Sequence, residues 1–102
     1  MDITVSELKE RLENAQDFYF IDVREPYEFQ EANLGAKLVP LGSFPGIIPE
    51  LGIPKDAEII IHCRSGARSN AAVQMMRSEG YTNVRNVIGG ILAWAALYPV
   101  NS

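Results

Sequence analysis

The sequence predicts an α/β domain of three layers, α/β/α, built on a five-stranded, mostly parallel sheet. Three observations carry this expectation. Segments of strand-like and helix-like patterning alternate along the chain, as they do where helical crossovers join parallel strands. Two of the strand segments, FYFIDV (18–23) and AEIIIHC (57–63), are nearly continuous apolar runs, the mark of strands covered on both faces. The chain of 102 residues, 47% hydrophobic and 22% charged, suits one domain spanning residues 1–102, a length that buries roughly two-thirds of the surface of the unfolded chain.

The elements follow in order. Thr4 and Glu7 form a T-x-x-E capping box ahead of Val5, Leu8 and Leu12, which share one helical face. The strand at 18–23 comes next, and Pro26 then suits the first turn of a short helix through about Glu31. A short strand is expected at Lys37 to Val39. In LGSFPGIIPELGIPKD (41–56), Ser43 could cap a brief helix, but Pro45, Pro49, Gly46 and Gly52 predict a run of turns over the surface. AEIIIHC is the expected central strand. From Ser69 to Glu79, Ala72, Val73, Met75 and Met76 form an apolar stripe opposite Asn70, Gln74 and Arg77, and Gly80 supplies the stop. VRNV (84–87) gives a last strand. GGILAWAALYP (89–99) gives a last helix, with Ile91, Trp94, Ala95 and Tyr98 on one face.

Composition also excludes functions. A net charge of −4 argues against a nucleic-acid binder, whose affinity needs clustered Lys and Arg. The apolar runs are too short to cross a bilayer, so no membrane partner is expected. The first residues carry charges every few positions and no signal-peptide core, and the single cysteine allows no internal disulfide. Both points lead us to expect a reducing, cytoplasmic setting.

That cysteine lies in EIIIHCRSGARSN (58–70), where an apolar strand runs into Cys63, two arginines follow within five residues, and a helix begins. In open parallel sheets ligands bind at the carboxyl ends of the strands, and Cys63 is placed at such an end. RSGAR (64–68) is short enough to force a tight arc of inward backbone N–H groups continuous with a helix N-terminus, an anion-binding arrangement. Gly66 permits the turn. The same field lowers a thiol pKa and favours the nucleophilic thiolate. Cys63 is therefore the expected nucleophile. Arg64, Ser65, Gly66, Ala67, Arg68 and Ser69 are the expected substrate cradle, with Arg64 and Arg68 attracting an anionic donor. Cysteine-dependent phosphatases carry H-C-x5-R; here four residues separate Cys63 from Arg68, and the tighter loop suits one extra sulfur better than a phosphate.

The chain resembles the single-domain rhodaneses, a family of sulfurtransferases. The resemblance rests on ITVSELKERL (3–12), IDVREPYEFQEANLGAKLVPL (21–41), IIIHCRSGARSNAA (59–72) and GYTNVRNVIGGILAW (80–94), in that order, and spans nearly the whole chain. It implies a ping-pong cycle. Cys63 takes the outer sulfur of thiosulfate or a similar small anionic donor, holds it as a persulfide, and passes it to cyanide or a thiol. With no second cysteine the acceptor comes from outside, either a small thiol or a thiol-bearing partner protein. The alternatives are a non-turnover persulfide carrier or regulatory module and, less favoured by the loop length, a phosphatase or arsenate reductase. No metal or organic cofactor is expected, since a lone His without paired cysteines makes a poor metal site. The chain departs from the family's G-H-I-P-G-A segment: it reads ANLGA (32–36), with Asn33 in place of the His and one residue fewer before Gly35.

Neighbouring residues have plainer expected roles. His62 alternates with Cys63 along the strand and should face the other way. Asp22, Arg24 and Glu28 suit an ion-pair cluster, Gly89 and Gly90 a close approach to the cysteine loop, and Trp94 either a pocket wall or the core. Met75 and Met76 are expected in the core.

Overall fold

The computed structural model describes residues 2–14 and 17–100. Its elements are α1 (Val5–Glu13), β1 (Tyr19–Asp22), α2 (Pro26–Glu31), β2 (Lys37–Leu38), a 3-10 turn at Leu41–Ser43, α3 (Phe44–Ile47), a second 3-10 turn at Ile48–Leu51, β3 (Ile59–His62), α4 (Ala67–Ser78), β4 (Val84–Asn86) and α5 (Gly90–Leu97). The sheet runs in the order β2-β1-β3-β4, with every pairing parallel. β1 and β3 pair over four residues, Tyr19 with Ile59 through Asp22 with His62.

Alternation along β3 divides the core. Ile59, Ile61 and Cys63 face a cluster completed by Ile21, Val73, Met76 and Phe44, beneath α4 and the α3 segment. Ile60 faces the other way, toward Val5 and Leu8 of α1 and Trp94 of α5. The capping box is present as expected: the Glu7 N–H donates to Thr4 Oγ1 (3.1 Å) and the Thr4 N–H to Glu7 Oε1 (2.9 Å). Pro26 opens α2.

Several expectations are corrected. Among the described residues the sheet has four strands, not five. The nearest thing to a fifth is Ile3, which makes one isolated parallel bridge with Val87; Thr4 caps α1 at the next residue, so the chain leaves the sheet before a second pair forms. The segment 41–56 runs over the surface, but as short helical turns with three side chains directed inward. Pro45 and Pro49 fall in the first turns of α3 and the following 3-10 turn, where a missing N–H costs nothing, and Phe44, Ile48 and Ile53 are buried. Helix α4 begins at Ala67, two residues before the expected start. Its buried face is Ser69, Ala72, Val73 and Met76, the i, i+3, i+4, i+7 set, which leaves Met75 exposed. On α5, Ile91 and Trp94 are buried but Ala95 is exposed. Among the described residues no helix is long and apolar enough to cross a membrane.

Where Asn33 stands in ANLGA, it closes the end of α2. Its Nδ2 donates to the Phe29 carbonyl (3.2 Å), and its Oδ1 accepts from the Gly35 N–H (2.9 Å). The substitution is thus satisfied locally by an Asx-type turn.

Candidate functional site

β1 and β3 end side by side at Asp22 and His62, and Cys63 is the next residue, at the carboxyl edge of the sheet. The chain then turns through Gly66, whose φ of +111° is open to glycine and strained for other residues. It enters α4 at Ala67. Two N–H groups at the start of α5 fasten the loop from the other side: Ile91 donates to the Cys63 carbonyl (3.0 Å) and Leu92 to the Arg64 carbonyl (3.1 Å). This requires Gly90, where a Cβ would lie 2.5 Å from both carbonyl oxygens. The close approach expected of Gly90 is present, and it shapes the loop.

Cys63 is 1% exposed, with its sulfur enclosed by the arc. The Gly66 N–H donates to Sγ at 3.1 Å, and the Ser69 hydroxyl lies 3.3 Å from it. Burial pushes the thiol pKa up, but hydrogen bonds from the Ser69 hydroxyl and from the N–H groups of Ser69, Gly66 and Ser65 outweigh it, leaving the pKa below its ordinary value. Of the cradle expected from the sequence, Gly66 and Ser69 supply the hydrogen bonds that reach sulfur. Asn86, which no sequence motif singles out, braces the arc at Gly66 and at Ser69. Its Nδ2 donates to the Gly66 carbonyl (3.2 Å), and its Oδ1 accepts from Ser69 Oγ (2.5 Å). The available signal was an Asn inside a strand whose neighbours at 84 and 87 are apolar.

His62 points to the opposite face, as alternation requires. It is fully buried, packs against Phe20 (5.4 Å between rings), and places Nε2 3.5 Å from Asp22 Oδ2. Burial pushes its pKa down, so the ring is neutral. Asp22 accepts from the Arg24 backbone N–H (2.9 Å), Nε (3.1 Å) and Nη2 (2.9 Å), and Arg24 Nη2 donates onward to the Ala32 carbonyl (2.7 Å). This pair is internal bracing. Trp94 is in the core with Nε1 bonded to the Pro99 carbonyl (3.1 Å), and does not wall the site.

A cavity of about 470 Å³ opens over the loop, with Arg64, Arg68, Ile91 and the α2 residues Tyr27, Glu28 and Glu31 on its walls. Arg68 does not stand free there. Its two terminal nitrogens donate to the Glu28 carboxylate at 2.6 and 2.9 Å, and this fork holds the Glu28 pKa at about 2. Sequence proximity groups Glu28 with Asp22 and Arg24, because no local spacing reveals that α2 faces the cysteine loop. A second cavity, about 390 Å³, lies between the α3 segment and α4 and includes no residue of that loop.

Residues 4–97 match the family model described as a rhodanese-like domain. A sulfurtransferase of Allochromatium vinosum is 38% identical over 95 residues, covering 92% of this chain and 87% of that protein. The probable adenylyltransferase/sulfurtransferase MoeZ of Mycobacterium tuberculosis is 32% identical over 97 residues; 91% of this chain matches, but only 24% of that longer protein. The crystal structure of a rhodanese-like domain protein from Staphylococcus aureus superposes with a TM-score of 0.82 at 31% identity, covering 92% of this chain and 91% of that one.

Proposed function

The chain belongs to the rhodanese-like domain family of sulfurtransferases, and on that premise we propose that it moves a sulfane sulfur through a persulfide on Cys63. The donor is thiosulfate or a similar anion, and the acceptor is a thiol or cyanide. The Cys63 thiolate attacks the outer sulfur of the donor. A bond forms between the two sulfurs, the donor's S–S bond breaks, and its electron pair leaves on sulfite. The persulfide carries the negative charge on its terminal sulfur until an acceptor nucleophile attacks there, and the electron pair returns to Sγ. No oxidant enters. Arg64 favours approach of the anionic donor, Arg68 being paired with Glu28, and the loop N–H groups stabilise charge at sulfur in each anionic state.

The observation that carries the reading is the pair of donors hydrogen-bonded to one sulfur, the Gly66 N–H and the Ser69 hydroxyl, which with the neighbouring loop N–H groups favour thiolate in spite of burial. It is tested by thiocyanate formation from thiosulfate and cyanide, and by mass spectrometry of the donor-treated protein for an adduct of about 32 Da, one sulfur, at Cys63. Cys63→Ser should abolish both. Turnover that survives the substitution defeats the assignment.

A second reading, a persulfide carrier within a larger system, draws on the match to about a quarter of MoeZ. There the adduct forms but turnover with thiosulfate and cyanide is negligible. Release of phosphate from an aryl phosphate would instead favour the phosphatase chemistry that the four-residue spacing between Cys63 and Arg68 opposes.

A further inference from the structure

The cavity over the cysteine loop has an unbalanced pair of charges. Arg24 is neutralised by Asp22 and Arg68 by Glu28. The two remaining charged walls are Arg64 and Glu31, whose side chains make no hydrogen bond or ion pair with any described residue, including each other. Between them the walls include Tyr27, 65% exposed, and the side chain of Ile91. A wall with one unmatched cation, one unmatched anion and an apolar surface is complementary to a ligand carrying both charges on a short carbon skeleton. A simple anion such as thiosulfate uses only half of it, and the approach of a second negative group is opposed by Glu31.

We propose that the cavity selects a zwitterionic thiol as the sulfur acceptor, its carboxylate on the Arg64 guanidinium and its ammonium on the Glu31 carboxylate. This rests on the sulfurtransferase reading above and names the acceptor class. The step is a displacement: the acceptor thiolate attacks the terminal sulfur of the Cys63 persulfide, a new S–S bond forms to the acceptor, the bond to Sγ breaks, and its electron pair stays on Cys63 as thiolate. Arg64 adjoins Cys63 in the chain, so a carboxylate anchored on it lies at the loop that carries the reacting sulfur.

The test is single-turnover discharge of the Cys63 persulfide by matched thiols. Free cysteine and glycyl-cysteine carry both charges, with different spacing; 3-mercaptopropionate carries only the carboxylate, cysteamine only the ammonium, and 2-mercaptoethanol neither. Each rate is divided by that thiol's rate with a small-molecule persulfide, which removes differences in intrinsic reactivity. At least one zwitterion should exceed every singly charged thiol by about tenfold, the value of one well-formed charge-assisted contact. Which of the two does so separates a free amino acid from a peptidyl acceptor. Glu31→Gln should erase the advantage of the zwitterion over 3-mercaptopropionate, and Arg64→Gln its advantage over cysteamine. Equal normalised rates across the series, with the adduct of about 32 Da present at the start, overturn this inference while leaving sulfur transfer standing. Failure of the wild-type protein to form the adduct overturns both.

Discussion

Ser69→Ala isolates the contribution of one hydroxyl to the reactive sulfur. In the folded protein Ser69 Oγ lies 3.3 Å from Sγ, 3.2 Å from the Gly66 carbonyl and 2.5 Å from Asn86 Oδ1, and it has a single hydrogen to give. A hydrogen bond to a charged group contributes about 1.5–3 kcal/mol, which corresponds to about one to two pKa units when it is made only to the thiolate. Competition from Asn86 holds the effect to the lower end, so the substitution should raise the Cys63 pKa by about one unit. The sign follows: with less thiolate at neutral pH, alkylation and sulfur uptake slow there and recover as the pH passes the new pKa. The assay is the iodoacetamide rate as a function of pH, with circular dichroism confirming the fold. An unchanged midpoint in a folded variant would show that the backbone N–H groups alone hold the thiolate, and would refute the role given to the hydroxyl.

Three further outcomes are expected. The Glu28 pKa is about 2 in the folded protein against 4.5 normally, so its ion pair stabilises above pH 4.5 and that contribution is lost as the pH falls toward 2; Glu28→Gln should lessen the acid-induced fall in Tm. A wild-type-minus-variant difference that stays constant from about pH 5 to about pH 2 would contradict this. Gly90→Ala forces a Cβ to 2.5 Å from the Cys63 and Arg64 carbonyl oxygens at a φ of +57°. It should cost about 2 kcal/mol or more and slow persulfide formation by displacing the loop, whereas wild-type stability by urea titration would show that the backbone relaxes freely. Phe44→Ala removes a side chain 1% exposed and should cost about 3–5 kcal/mol in the same titration, while a loss typical of a surface turn would return the α3 segment to the periphery.

Features set by local chemistry were legible in the chain. The Thr4–Glu7 box, Pro26 at the start of α2, and the apolar run ending at Cys63 each depend on neighbours within a few residues, so spacing alone reveals them. The opposite facings of His62 and Cys63 follow from strand geometry without any knowledge of partners. Less was legible where a residue's role depends on distant chain. Met75 and Met76 are equivalent in hydropathy, and only the angle at which α4 meets the sheet buries one and exposes the other. Pro45 and Pro49 mark turns or helix starts equally well, and the apolar surface available to Phe44 and Ile48 decides between them. The fifth strand was lost to the cap at Thr4, which competes for the same residues as the pairing begun by Ile3.

The sequence by itself determined the family's fold, the position of the thiol at a strand end, and the presence of a glycine-containing arc leading into a helix, because these follow from order and short-range geometry. Tertiary structure decided what surrounds that thiol. It brought Asn86 from β4 to brace the arc, turned α2 so that Glu28 neutralises Arg68, and left Arg64 and Glu31 as the unmatched charges over the loop. Parallel crossovers join residues far apart in sequence, and electrostatic balance at a site is a property of that juxtaposition.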